Sequence, residues 1–535
     1  MSVDTFVTNK LFRDYLFNVQ ALKDFFAWNP YHPEECRKAL EVVKGYSYPR
    51  KKLVEILRRQ NKTFGCGEKT LANIDLLSAD ATLAVITGQQ AGLFTGPLLT
   101  IYKTLTTIKL AEQLQQNYED KFVPVFWVVS DDHDFEEVNH IFCVSSDNDV
   151  IRVEYTPRGD FDRCPVKSIP IDEHFESVLQ KLEGHLPETD FKASIVEMVK
   201  MAYTDSRSFA DGFSRLLTRL FQDYGLVLVD PLDQELMELT ATIFKGEIEN
   251  PTGSSNRALQ VSEQLKERGY PQQINLRAGH LNLFIEIEGR RCSVSMGSND
   301  FQAEGRSFTA KDFLDILQSS PEKISPNVVL RPVVRSSILP TAAYIGGPAE
   351  ISYYAQLKGV FEFFGVPMPI VYPRVRVTLI ESKVRRILEK HSVTPEEVFQ
   401  DAHGVIRNII EKSLPDTFQI VFHESKSGID ELFGKIRESV LPIDNSLDGL
   451  ITRSRNRLAH DVDKIEKKAI QAKKKSEETV VQQIHKVRAH LFPQGMQQER
   501  ILNILPFLIL YGPHFIERLY EAIDVNNKHH QIIDV

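Results

Sequence analysis

The chain has 535 residues, more than one ordinary hydrophobic core holds, so length alone implies roughly two to four domains or insertions. Its 64 Lys and Arg stand against 73 Asp and Glu, a formal charge of −9, which argues against wholesale nucleic-acid binding through a basic surface. The 5 cysteines, Cys36, Cys66, Cys143, Cys164 and Cys292, form no C-x-x-C pair, so neither a disulfide framework nor a sulfur-ligated zinc site is indicated.

The opening MSVDTFVTNKLFRDYLF is polar and acidic where a secretory signal needs an apolar core. No segment is an uninterrupted apolar run of bilayer length, so the expectation is a cytoplasmic protein that does not span a membrane. Residues 1–80 read as helical, broken at Pro30, Pro33 and Pro49, and are expected to pack on a core that follows them. From Leu83 the texture is α/β and stays so over 81–376: strand LAVIT, a helix from Pro97 to about Gln116, then strand FVPVFWVVS. The second strand is apolar nearly throughout, as a sheet covered on both faces requires, and two such strands joined by a helix make a right-handed βαβ unit. GLVLVD (Gly225–Asp230), AAYIGG (from Ala342) and MPIVYPR (Met368–Arg374) extend the same sheet. Two stretches, near 145–220 and near 265–325, alternate and turn like β-rich insertions.

Beyond Val377 the prolines and glycines thin out and charge climbs, which marks 377–497 as helical. Leu458, Val462, Ile465, Ala469 and Ala472 keep four-three spacing, and Val480, Ile484, Val487 and Leu491 resume it after a one-step slip. That is a heptad seam with a stutter. It predicts an antiparallel coiled coil with the run Ile429–Val440, and a free seam of this kind invites a second copy and hence a homodimer. The flanking KKAIQAKKKSEE reads as a solvated face rather than a nucleic-acid patch. Residues 498–535 are too apolar for a tail and are expected to return to the core.

Candidate chemistry gathers at strand carboxyl ends, where open α/β sheets bind ligands. VITGQQAGLFTGPLL passes Gly88, Gly92 and Gly96 into a helix, with Gly96 as cap and Pro97 as first residue. Glycine lets a ligand approach the backbone, and a helix start attracts an anion. The loop has neither the Lys-Ser or Lys-Thr of a P-loop nor a G-x-G-x-x-G fingerprint. Gln89 and Gln90 offer amides and Lys103 offers a charge to a phosphate; the alternative is that the glycines merely close a tight turn. In SDDHDFEEVNH, the residues Asp131, Asp132, His133 and Asp134 are candidates for hydroxyl recognition, a general base, amine binding or a divalent ion. Glu136 and Glu137 are accounted for as acids at a helix start. YIGGPAEISYY makes a second glycine-proline start: Gly346 and Gly347, then Glu350 as either a capping acid or a ligand for an ammonium or sugar hydroxyl. Arg331 and Arg335, and Arg374 and Arg376, suit carboxylate or phosphate, or else ion pairs. Asn503, Tyr511 and His514 mark a candidate second pocket or a packed end-cap. No set of residues reads as a metal site.

Taken in order, TGQQAGLFTGPLLTIYK, PVFWVVSDDHDFEEVNH, RPVVRSSILPTAAYIGGPAEISYYAQL and ERILNILPFLILYG resemble the BshC family of bacillithiol biosynthesis cysteine-adding enzymes along nearly the whole chain. The resemblance implies a Rossmann-like core with connecting insertions, as in class I aminoacyl-tRNA synthetases, and a coiled-coil domain that helps form a dimer. It also implies a reaction, joining the carboxyl of cysteine to the amino group of glucosaminyl malate. The H-I-G-H and K-M-S-K-S signatures of the synthetases are absent. A carboxylate is a poor acyl donor, so ATP is the expected cosubstrate, by acyl phosphate or adenylate; the sequence leaves a divalent cation open. On this scheme the Gly88–Gly96 loop and Lys103 hold the activating phosphate. Asp131–Asp134 orient the sugar or deprotonate its amine, and Arg331 or Arg335 holds the malate carboxylates. Two competing readings are a sugar-nucleotide glycosyltransferase and a non-catalytic coiled-coil scaffold with a ligand-binding α/β core.

Overall fold

Five short apolar strands find each other as one parallel sheet. They are β1 (Thr82–Gln90), β2 (Lys121–Val129), β3 (Val227–Val229), β4 (Thr341–Gly346) and β5 (Ile370–Pro373), in the order β5-β4-β1-β2-β3. The computed structural model describes residues 9–276, 279–298, 300–415 and 417–535. The start of the expected N-terminal helical segment, residues 1–8, lies outside the described residues, as do 277, 278 and 299 of the second insertion and 416 of the helical region.

Alternation along β1 shows why it is central. Leu83 and Val85 belong to one apolar cluster with Ala39, Leu40 and Ile370, whereas Ala84 and Ile86 belong to another with Leu53, Ile56 and Trp127. Successive strand side chains point to opposite faces, so both faces of β1 must be covered. The N-terminal helices Pro33–Lys44 and Arg50–Thr63 each cover one of them. A buried Val, Leu, Ile or Phe contributes about 1.5–3 kcal/mol relative to exposure, so the apolar run Leu83–Ile86 inside this strand accounts for much of its hold on both layers.

The chain lays β2 and β3 on one side of β1, then returns to place β4 and β5 on the other. Strand order therefore reverses between β1 and β4, and the crevice outside their carboxyl ends is where such sheets bind ligands. The crossover helix α1 (Leu98–Asn117) is buried on nearly every side of its first turns. It begins one residue later than expected, because Pro97 has an extended ψ of 161° and acts as the cap. Thr104 and Thr107 among its inward threonines are satisfied by their own helix, donating to Thr100 O and Lys103 O at 2.9 and 2.8 Å.

The first insertion corrects the sequence reading. Only its opening is a hairpin, His140–Val144 with Val150–Glu154; the rest folds as helices His174–His185, Lys192–Thr204 and Phe209–Leu220. Phe175, Val178, Leu179 and Leu182, all buried, recur at helical rather than strand spacing. The second insertion is a five-stranded antiparallel sheet spanning His280 to Pro326.

The chain up to Thr378, with Met496–Ile533, forms one unit; Leu379–Gly495, with Asp534 and Val535, forms a second. In the second, α2 (Thr417–Val440) and α3 (Asp448–Ser476) lie antiparallel, tied by Lys426 to Glu466 at 2.7 Å and by Arg437 to Asp448 at 2.6 Å. The stutter in the heptads is a break: Glu477, with ψ of 37°, ends α3, and α4 (Glu478–Leu491) buries Val480, Ile484, Val487 and Leu491. Among the described residues no helix is long and apolar enough to cross a membrane.

Candidate active site

A cavity of about 400 Å³ opens at the carboxyl ends of β1, β2 and β4. Gly88, Gln89 and Gln90 end β1; Asp132 follows β2; Gly347 and Glu350 follow β4; Lys103 rises from α1; and Arg331 and Arg335 stand one turn apart on the helix Arg331–Ile338. All nine line it. A side chain at Gly88 would meet Trp127 O at 3.1 Å, so glycine keeps the close approach of β1 to β2 at this position.

The acids after β2 are held by arginines from elsewhere in the chain. Asp131, 1% exposed, accepts from Arg331 Nη2 at 3.0 Å and Arg291 Nη2 at 3.5 Å, while its Oδ1 has no partner. Asp132 accepts from Gln90 Nε2 at 2.9 Å and from the His133 N–H at 2.8 Å. Burial by itself would raise the Asp132 carboxyl, but Arg331, Arg291, Gln90 and the His133 amide together hold it below the ordinary carboxylate range. His133 is pushed down, chiefly by burial and then by Arg291, whose Nη1 lies 3.2 Å from Nδ1. Because guanidinium only donates, Nδ1 accepts, and the neutral ring presents an N–H at Nε2. His133 thus offers the site a donor, and Asp132 a base. Asp134 instead caps the turn Phe135–Val138, accepting from Glu137 N at 3.2 Å.

Lys103 is 3% exposed and does not extend toward a phosphate. Its Nζ donates to Gly88 O at 2.8 Å, to Gln89 Oε1 at 2.9 Å and to Glu350 at 2.5 Å. Burial lowers its pKa, against the pull of Glu350. Glu350 also closes a capping box on the Gly347 N–H at 2.8 Å and accepts from the Tyr344 hydroxyl at 2.5 Å. Gly346 ends β4 behind it, where a side chain would meet Glu350 Cβ at 3.2 Å.

Gly92 and Gly96 do not line the cavity. Their loop folds on itself: Phe94, Thr95 and Gly96 have φ of 48°, 75° and 69°, and Gly96 N donates to Leu93 O at 2.8 Å. Asn503 fastens it, donating from Nδ2 to Phe94 O at 2.8 Å and Gly96 O at 2.6 Å. Of the loop expected to cradle a phosphate, Gly88, Gln89 and Gln90 line the cavity, whereas the part from Gly92 to Gly96 is a braced turn. Nor do Asn503, Tyr511 and His514 make a second pocket: Asn503 is fully buried under this turn, Tyr511 stacks on Phe515, and the His514 side chain is 86% exposed beside Glu517.

Comparison with known sequences gives a family. Residues 1–375 match the model described as "Bacillithiol biosynthesis BshC, N-terminal Rossmann-like domain" and residues 377–535 match "Bacillithiol biosynthesis BshC, C-terminal coiled-coil domain". The chain belongs to the BshC family. Relatives named "Putative cysteine ligase BshC" include one from Salinibacter ruber, 33% identical over 98% of this chain and 96% of its own length. Others are from Desulforamulus reducens, 34% identical over 99% and 98%, and Chloroherpeton thalassium, 34% identical over 96% and 94%. These names agree with the ligase reading and not with the glycosyltransferase or scaffold readings.

Seen as a BshC-family site, the crevice has three compartments. A second cavity of about 410 Å³, walled by the antiparallel insertion, shares Asp132, Val328 and Arg331 with the first, and a third of about 830 Å³ shares His133 with the second. Sequence reasoning missed Arg291, Glu499 and Arg500. Arg291 is one of two adjacent arginines on a strand; alternation says that one of the pair turns inward but not that it meets the acids after β2. Glu499 holds Arg374 bidentately at 2.7 and 2.9 Å, and Arg500 lines the first cavity; both open the string ERILNILPFLILYG, but nothing in its spacing points to the crevice.

Proposed function

We propose that this BshC-family protein is a cysteine ligase of bacillithiol biosynthesis that forms an amide between the cysteine carboxyl and the amino group of glucosaminyl malate, with ATP as the activating cosubstrate. The observation that carries the reading is the cavity at the β1/β4 reversal, which holds an ionised Asp132 and several arginines together. An acceptor that bears both an ammonium and carboxylates needs both kinds of partner in one place.

The chemistry follows from the balance of the bond formed. ATP converts the cysteine carboxyl to a mixed anhydride, releasing pyrophosphate if it is an adenylate or ADP if it is an acyl phosphate. The sugar amine, its ammonium proton lost to solvent, then attacks that carbonyl, AMP or phosphate leaves, and the attacking nitrogen loses one further proton. Asp132 takes that proton, and the His133 Nε2–H donates to oxygen as negative charge grows. Three adjoining cavities give room for three reactants. The exposed apolar residues Leu458 and Ile465 of α3, 45% and 60% accessible, supply the seam of a homodimer.

The test is a mass-spectrometric assay of the purified chain with cysteine, glucosaminyl malate and ATP. Coupled thiol with stoichiometric AMP identifies an adenylating ligase, and with ADP an acyl phosphate. Absence of coupled product with every nucleotide overturns the reading.

A further inference from the structure

Five cationic side chains line the first cavity, Lys103, Arg331, Arg335, Arg374 and Arg500, but three of them are already neutralised by the protein. Lys103 is paired with Glu350, Arg331 with Asp131 and Arg374 with Glu499. A cation whose charge is already compensated in a buried pair gains little from a second anion and must reorganise to bind it.

Arg335 and Arg500 differ. Arg335 is 3% exposed, yet what it touches is aromatic: its guanidinium lies 4.0 Å from the centre of the Tyr344 ring, and Nη2 donates to the Tyr354 hydroxyl at 2.5 Å. Its Nε is buried with no hydrogen-bond partner, a donor facing no acceptor. Arg500 stands exposed at the rim and has no ion pair among the described residues. A buried cation without a carboxylate, stacked so that its fork is fixed, is an unfilled half of a bidentate contact.

We propose that Arg335 and Arg500 together clasp the anionic group of the substrate in this cavity, a carboxylate or phosphate, with Arg335 at the floor and Arg500 at the mouth. The identity of the anion rests on the ligase reading; the clasp itself does not. It also assigns a binding residue to the stretch that follows the helical region, since Arg500 is drawn from Met496–Ile533.

Calorimetric titration of the full chain with malate and, separately, with ATP tests this, using wild type, Arg500→Ala, Arg500→Lys, Arg335→Lys and the Arg335→Lys/Arg500→Ala double variant. Arg500 is exposed, so its variants keep the fold. The expected result is at least a tenfold loss of affinity in Arg500→Ala for one probe, partial recovery in Arg500→Lys, and a double variant that loses less than the product of the single losses, because both residues hold one anion. The probe affected tells carboxylate from phosphate. Wild-type affinity for both probes in Arg500→Ala, strictly multiplicative losses, or no binding of either probe by wild type overturns the clasp. Loss of probe binding in Arg500→Ala, with no coupled thiol from wild type, overturns the ligase reading and leaves the clasp standing.

Discussion

Asp132 can act as a base because its neighbours keep it charged while leaving it on the cavity wall. Replacing it with Asn keeps the Gln90 contact and removes the proton acceptor; turnover is expected to fall by about 100-fold or more, with little change in thermal midpoint. Its depressed pKa also fixes a sign. The carboxylate stays ionised through the ordinary range near pH 3.9, so the acid limb of kcat/KM against pH should show no break there from this group and should fall only below it. Lys103 and Glu350 make a second residue-scale case. Removing one partner strands a buried charge, costing about 3–5 kcal/mol, whereas Lys103→Met with Glu350→Leu should cost less than the two singles combined, as urea denaturation would reveal. Much of this was half legible. The Glu350 capping box could be read three residues from Gly347, but its ion pair with Lys103 joins distant segments, and nothing in either motif announces the other.

At the scale of elements, the turn from Gly92 to Gly96 carries a packing constraint. A methyl on Gly92 would come within 2.9 Å of Gly96 Cα, so Gly92→Ala should loosen the turn, lower the thermal midpoint and reduce turnover together. Asn503→Ala, which removes two bonds to the same turn, should do the same to a lesser degree. In the helical unit, Leu458→Lys with Ile465→Lys should shift the mass measured by sedimentation from two chains to one if the seam is the subunit contact. The five core strands were legible because apolar runs between turn residues admit few alternatives. The helices of the first insertion were not, since short amphipathic stretches after a real hairpin carry the same turn residues and prolines as further strands. The seam was legible as a pattern, but its slip concealed the end of one helix and the start of the next at Glu477.

At the scale of the whole chain, the return of Met496–Ile533 is what ties distant sequence to the site. His530 in that stretch lies 2.8 Å from the Thr378 hydroxyl, and burial pushes its pKa down to about 4. As pH falls from about 6.5 the unfolded chain takes up this proton first, so the folded state loses up to about 3 kcal/mol by pH 4. Urea midpoints at pH 7.5 and 4.5 should therefore differ in wild type, and differ less in His530→Gln. That this stretch comes back was legible from its apolar content; that it supplies Glu499 and Arg500 was not, because a contact between segments so far apart leaves no local spacing to read.

The Arg374–Glu499 pair also sets a timetable for synthesis. Its members are 125 positions apart along the chain, an interval that a ribosome covers in about 6–25 s. Throughout that time the nascent crevice carries a guanidinium whose counter-charge has not yet been made, so the parallel sheet can assemble early while its ligand-binding end waits for the last stretch to leave the exit tunnel.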